Sequence, residues 1–313
     1  MKGTSNSEKM IIYKRLSSHR TQKMKNIQFG LLISVPAILI VLGIGLYPLL
    51  YSFILSFTDF RLLHDETSFV GLGNFIHLLK ENEFWNALKV TSLITFFSIF
   101  FEFLLGLCIA LTLTSITRGK NFFRTIFLLP MMLSPVVVGL MFRYMFNDEF
   151  GIINTVLLNI GLIKTPIPWL LQTNFALASI ITLDIWAATP LVVILLYSGL
   201  INIPSTLYEA GKIDGTNPFQ SFCHITVPLL KPIIFVTLII RGMDVFRVFD
   251  SIYVLTAGGP ANSTESLAMY LYRINWKSNE IGMASAGSYL MLLIMIIASL
   301  LLMKSMSVGR NRV

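Results

Sequence analysis

Six long apolar stretches, near residues 29–57, 90–114, 122–146, 174–200, 229–252 and 281–303, decide what this chain can become. A helix crosses the hydrocarbon of a bilayer with roughly 20 apolar residues, rising about 1.5 Å per residue. Each stretch is long enough, so the expected fold is an all-α polytopic membrane protein with six transmembrane helices. Of the 313 residues, 13% are Asp, Glu, Lys or Arg, about half the share of a soluble domain. The mean hydropathy is +0.74. This balance excludes an ordinary cytosolic enzyme, a disordered chain and a nucleic-acid binder. The first stretch is too long for the apolar part of a cleaved leader and lacks a small-residue cleavage site, so it counts as a span. Cys108 and Cys223 fall in different segments and imply no disulfide framework.

An even number of spans puts both termini on one side, and the basic residues choose the side. Residues 1–26 carry seven Lys and Arg, the 115–124 loop three, the 201–231 loop two and the C-terminal tail three, fifteen altogether. The alternate loops carry five: Arg61, Lys80, Lys164, Arg273 and Lys277. Fifteen against five is a positive-inside bias, which makes both termini cytoplasmic. The net charge of +8 thus reports topology and not a polyanionic partner. Segment 73–86 has Phe75, Leu78, Leu79 and Phe84 on a rough helical period, fitting an interfacial helix or a short amphipathic connector. Pro130 and Pro135 in the third span and Pro190 in the fourth are expected to kink their helices.

Several chemistries are missing. Gly119-Lys120 has no glycine five residues upstream, so there is no phosphate-cradling GxxxxGK[ST] loop. HExxH and GxSxG are absent, and His19, His64, His77 and His224 fall in loops or tails without pairing on a helix. No catalytic residue and no metal site is expected. Energy for uphill transport must come from elsewhere.

The 201–231 loop, INIPSTLYEAGKIDGTNPFQSFCHITVPLLK, is far more ordered than a connector needs to be. Thr206 with Glu209 three residues on reads as a capping box opening a helix after Pro204. Asp214-Gly215 ends it, and Asn217 with Pro218 and Gln220 opens a second helix that Pro228 and Pro232 are expected to stop. The second helix presents Phe219, Phe222, Cys223 and Ile225. That apolar surface either packs on its own bundle or enters a partner's groove.

Glu209-Ala210-Gly211, then Gly215, Ile225 and Val227-Pro228, resemble the EAA loop of bacterial ABC importer permeases. Gly211 stands for the second alanine of that pattern and Val227 for its leucine. LYPLLYSFILSFTDF (46–60), FVGLGNF (69–75) and YVLTAGGPANSTESLAMYLY (253–272) are similar to the first permease of the carbohydrate subgroup, the maltose and glycerol-3-phosphate type. The resemblance covers nearly the whole chain. It implies a type I importer (MetI-like) permease fold in the bacterial cytoplasmic membrane. The implied partners are a second homologous permease, two ATPase subunits, an extracellular solute-binding protein, the lipid bilayer and a sugar substrate. It implies no cofactor on this chain, ATP and Mg belonging to the ATPase. It makes the loop a coupling helix docking on that ATPase through Glu209, Ala210, Gly211, Asp214, Gly215, Pro218, Phe219 and Phe222. For Glu209 the plainer role is to complete the capping box.

Charges inside a span cost at least about 2.5–3.5 kcal/mol each and need a reason. Glu102, Arg143 and Asp184 lie in the second, third and fourth spans, and Arg241, Asp244, Arg247 and Asp250 follow one another at three-residue intervals with alternating sign. Neighbours three apart on a helix can pair. With Asp184, Trp186, Phe246, Phe249 and Tyr253 this ladder offers a sugar both hydroxyl partners and flat ring faces, so it is a candidate substrate path. The alternative is an ion-pair network fixing helix packing or the contact with the sister permease. Glu102 and Arg143 are expected to be structural. The Gly258-Gly259-Pro260 turn either helps seat the binding protein or is a plain turn.

The organisation expected is a basic cytoplasmic tail (1–28), a first helix (29–57), a five-helix core (88–303) holding the loop 201–231, and a cytoplasmic tail (304–313). The function expected is alternating-access import of an oligosaccharide or related sugar or polyol, driven by a separate ATPase. The rival cargoes are an acidic sugar, a sugar phosphate or a peptide, and the remoter rival is an intramembrane enzyme or channel.

Overall fold

The computed structural model describes residue 29 and residues 32–62, 66–116 and 119–310. The expectations placed on the tail 1–28, on His64 and on residues 311–313 lie outside the described residues. The described chain is helical, with one isolated antiparallel bridge, Thr58 to Phe69. Its helices are α1 (Leu32–Leu55), α2 (Gly73–Lys80), α3 (Asn82–Ser115), α4 (Lys120–Leu128), α5 (Pro135–Met145), α6 (Ile152–Asn159), α7 (Thr173–Ile201), α8 (Ser205–Ile213), α9 (Pro218–Phe246), α10 (Asp250–Leu255), α11 (Leu267–Trp276) and α12 (Ile281–Arg310). Among the described residues five helices, α1, α3, α7, α9 and α12, are long and apolar enough to cross a membrane.

The third apolar stretch is broken, not kinked. Ser134 is extended (φ −63°, ψ 137°), as a residue ahead of proline prefers to be, and Pro130 opens a single tight turn between α4 and α5. Pro190, by contrast, lies within α7, which runs on through it. Segment 73–86 divides: α2 ends at Lys80, and Phe84 already belongs to α3, which starts well before residue 90.

Two further boundaries differ from the sequence expectation. Pro228 and Pro232 do not stop the helix that Asn217 caps; it runs on through both into the fifth apolar stretch, as α9. Pro228 lacks the amide that would close on the His224 carbonyl, and the chain takes this up as one wide turn over Phe222–Thr226. The fifth stretch then ends at Phe246 and not at 252. Arg247 and Phe249 leave helical geometry, and the freed Val248 carbonyl accepts the Ser266 hydroxyl at 2.8 Å. No proline or glycine marks that break; a tertiary bond from eighteen residues downstream holds it.

Three apolar clusters hold the bundle together. One joins α2, α3, α11 and α12 around Leu78, Phe84 and Tyr270. A second, around Ile94, Phe142, Ile180 and Ile252, lies where α3, α5, α7 and α10 meet, and a third, around Ala110, Leu196 and Leu230, binds α3, α7 and α9 near the 201–231 loop. Close helix approach depends on small residues, as expected where lipid is no worse a solvent than Leu. A β-carbon on Gly106 of α3 would lie 2.6 Å from a Val192 methyl of α7. α1 has no buried residue in its apolar window and packs along α12, where Tyr289 donates to the Leu49 carbonyl at 2.5 Å.

Candidate functional site

Two assemblies of polar or exposed groups stand out against this apolar frame. The first is built at the centre of the bundle. Arg241, buried on α9, donates from Nε and Nη2 to the two oxygens of Glu102 on α3, both at 2.8 Å. Nη2 also reaches Asp184 on α7 at 3.4 Å, and Nη1 donates to Asp244 one turn along α9. Asp244 in turn faces Arg247 at 3.5 Å. Glu102 has no exposed side-chain surface, whereas Asp244 is 50% and Arg247 67% exposed. The cluster therefore runs from a dry interior to an open rim.

That rim borders a cleft of about 580 Å³ between the Pro130–Pro135 break, α7, the end of α9 and the start of α10. Asp184, Arg241, Asp244, Arg247, Phe249 and Asp250 line it, and Val138, Leu183 and Leu191 supply apolar wall. Three residues expected on the path do not line this cleft. Trp186 packs against Phe142, with ring centres 5.6 Å apart. Tyr253 packs in a three-ring cluster with Phe249 and Tyr272, which also touch each other. Phe246 borders an apolar groove between α3, α9 and α12. The charge ladder is not continuous either. The helix breaks after Phe246, so Arg247 and Asp250 belong to different elements.

Glu102, expected to be structural, is the buried partner of Arg241, a pairing the sequence reading does not make. One signal pointed to it: a lone carboxylate in an apolar span needs a cation, and the ladder held two. Arg143 does stand apart, donating to the Val254 carbonyl at 3.2 Å.

The second assembly is the 201–231 loop, a helical hairpin of α8 and the first turns of α9. The Thr206–Glu209 capping box does not form. Pro204 is the residue preceding the helix, with φ −59° and ψ 130°, and Thr206 lies inside α8. The C-terminus behaves as the sequence suggests: Gly215 has φ +78°, its amide meets the Lys212 carbonyl at 3.1 Å, and the Thr216 amide meets that of Gly211 at 2.9 Å. The Asn217 box is complete, with Gln220 N to Asn217 Oδ1 at 2.8 Å and Asn217 N to Gln220 Oε1 at 2.9 Å. Tyr208 and Thr226 hydroxyls, 2.9 Å apart, tie the two arms together.

Gly211 is buried at the hairpin's crossing. A β-carbon there would come 2.8 Å from Thr216 Oγ1 and 3.2 Å from an Ile225 methyl. Glu209, Ala210, Asp214, Gly215 and Pro218 are exposed, Phe222 half-buried, and the hairpin tip carries Ile213 at 87% and Phe219 at 74% exposure. Of the two fates open to the apolar face, Phe222 and Ile225 turn partly inward and Phe219 and Cys223 outward.

A further polar network, not noticed in the sequence, joins α3, α11 and the 256–266 turn. Arg273 meets Glu265 at 2.8 Å and Glu83 at 2.5 Å, and Tyr270 donates to Glu81. The hydrogen bond to Glu265 holds the guanidinium more basic than usual, and burial raises the Tyr270 phenol above its ordinary range.

Comparison with known proteins follows the same lines. Residues 102–308 match the model of the family described as binding-protein-dependent transport system inner membrane component. The trehalose/maltose transport system permease protein MalF of Thermococcus litoralis is 34% identical over 299 residues, covering 95% of this chain and 99% of its own. The arabinooligosaccharides transport system permease protein AraP of Bacillus subtilis is 33% identical, covering 87% of each chain. A chain of the bacterial alginate ABC transporter, solved with its alginate pentasaccharide-bound periplasmic protein, has the same fold: the TM-score is 0.78 at 22% identity, with 90% of this chain and 94% of that chain covered. The chain belongs to the family of binding-protein-dependent transport system inner membrane components, and it is a multi-pass ABC importer permease, a transport component and not an enzyme.

Proposed function

We propose that this chain is one of two homologous permease subunits of an ATP-driven importer for an oligosaccharide or a related sugar or polyol. End-to-end similarity to permeases named for trehalose/maltose and arabinooligosaccharides carries the reading. In it, the chain crosses the membrane six times, the broken α4–α5 stretch completing the five long helices, with both termini cytoplasmic. The tail 1–28, the helix 29–57, the core 88–303 and the tail 304–313 are its parts. Two ATPase subunits bind ATP and Mg; this chain binds neither. A loaded binding protein docks on the external face and releases its sugar into a path that includes the cleft bordered by Asp184, Asp244, Arg247 and Phe249.

The hairpin 201–231 is the coupling lever on the cytoplasmic face. Closure of the ATPase dimer on ATP pushes the exposed Ile213–Phe219 tip and rocks the helices between outward- and inward-open states. To switch decisively, ATP and binding protein must favour one state over the other by several kcal/mol together.

The test is reconstitution with the sister permease, ATPase and binding protein in liposomes, using labelled neutral sugars, uronates, sugar phosphates and peptides. Sugar uptake is expected only with ATP and the ATPase present, and Glu209→Lys or Gly215→Asp should abolish it while the protein still inserts. Uptake without the ATPase, or normal uptake by both variants, overturns the reading.

A further inference from the structure

We propose that Glu102 sets the charge of the central cleft: by holding the Arg241 guanidinium it makes the cleft exclude anions, so the cargo is a neutral or positively charged polyhydroxyl compound. This rests on reading the cleft as part of the substrate path. In the sequence, Arg241 and Arg247 together look like an invitation to an acidic sugar or a phosphate. The structure withdraws one of them. Arg241 makes four hydrogen bonds to the carboxylates of Glu102, Asp184 and Asp244, and its side chain is 3% exposed. A guanidinium has five N–H donors, so no two-pronged face is left for a ligand.

Glu102 does this from behind. It is fully buried on α3 and does not line the cleft. With the Glu102–Arg241 pair cancelled, the charged groups facing the space are Asp184 from α7, Asp244 from α9, Asp250 from α10 and the single cation Arg247. The wall from Pro130 to Val138 contributes no ionisable side chain, and Arg143 on α5 turns to the Val254 carbonyl. Three carboxylates against one guanidinium leave a formal charge of −2. Within a Debye length of about 8 Å at physiological ionic strength such an excess is only partly screened. Sugar hydroxyls donate to the exposed carboxylates and accept from Arg247, whereas a uronate or sugar phosphate is repelled.

The experiment reads the local charge directly and needs no transport. In the assembled importer, with Cys108 and Cys223 replaced by serine, Ala188→Cys places a reporter thiol on the cleft wall. It is modified by two methanethiosulfonates of similar size, one carrying trimethylammonium and one sulfonate. Relative to a free thiol, the cation-to-anion rate ratio is expected to be raised about tenfold or more, the order one net charge within about 10 Å produces at an intermediate dielectric. Glu102→Gln frees Arg241 and should lower the ratio about tenfold. The double variant Glu102→Gln/Arg241→Gln removes a cancelling pair, and should return the ratio to its original value. Should the single variant not assemble, the wild-type ratio against the free thiol, with the double variant as its control, still decides. A merely structural role for Glu102 would change both rates together. A wild-type ratio at the free-thiol value, a ratio unmoved by Glu102→Gln, or a ratio shifted in the double variant overturns the proposal. Failure of ATP-dependent sugar uptake would instead sink the transport reading and leave these ratios as they are.

Discussion

Phe219→Ala separates folding from docking. Phe219 stands at the second position of α9, in a turn whose geometry is set by Pro218 and by the reciprocal Asn217–Gln220 hydrogen bonds, not by its ring. It is 74% exposed, so little of its surface is buried in this chain. Fully burying a phenylalanine contributes up to about 3 kcal/mol. The three-quarters still available to a partner correspond to about 2 kcal/mol, or about 30-fold in affinity. The assay titrates labelled ATPase onto the permease pair in lipid nanodiscs, with thermal unfolding of the same samples measured alongside. The expected outcome is a Kd for the ATPase weakened about 30-fold, at a Tm within about 2 °C of the parent. An unchanged Kd, or a weakened Kd accompanied by a large fall in Tm, would refute the reasoning. The first result would mean the ring meets nothing in the complex, the second that it belongs to the fold.

Arg241→Met should be strongly destabilising, by about 3–5 kcal/mol, because it strands the fully buried Glu102 without its cation; Glu102→Leu/Arg241→Met should recover much of that, as read by thermal unfolding in nanodiscs. Gly106→Leu forces α3 and α7 apart where a β-carbon already meets Val192, and a loss of about 1–3 kcal/mol or failure to assemble is expected in the same assay. Gly211→Ala restores the alanine of the EAA pattern, yet here it should weaken coupled uptake, because the new methyl displaces the Thr216 hydroxyl. Adding Thr216→Ala should restore uptake, and a Gly211→Ala variant with full activity would show that the hairpin crossing has room to spare.

Sequence made some of this legible and hid the rest for identifiable reasons. Local signals worked where the structure is held by local bonds. Asn217 with Pro218 and Gln220 is a complete instruction for a helix start, and Gly215 for a helix end; both stand as read. Thr206–Glu209 failed because Pro204 fixes the entry two residues too early for Thr206 to cap. Apolar length found the spans but not their interruptions. The break after Phe246 rests on the Ser266 hydroxyl, which no pattern near 246 announces. Spacing along one helix was also a poor guide to the charges. Three-residue intervals suggested a ladder on α9, while the strongest partner of Arg241 came from α3, 139 residues away.

The two assemblies are not independent, because one helix carries both. Phe219 and Arg241 lie at opposite ends of α9, which runs unbroken from Pro218 to Phe246, so they are roughly 33 Å apart at 1.5 Å per residue. A displacement at the hairpin tip therefore arrives at Arg241 as motion of the whole rod. At that level α9 is tied to α3 through Glu102 and to α7 through Asp184, by bonds whose rupture would leave a buried charge unpaired. Nearer the hairpin, Leu230 and Ile233 of α9 close over Gly199 of α7, where even a β-carbon would have no room. The three helices must then move as one body. The facing parts of the cleft wall, the chain beyond Phe246 where α9 stops short of α10 and the Pro130–Pro135 break, are held by apolar packing and the Ser266 bond and not by buried charge. The buried Glu102–Arg241 pair thus fixes α9 against α3 on one side of the cleft, and among the described residues no pair of that kind crosses to the other.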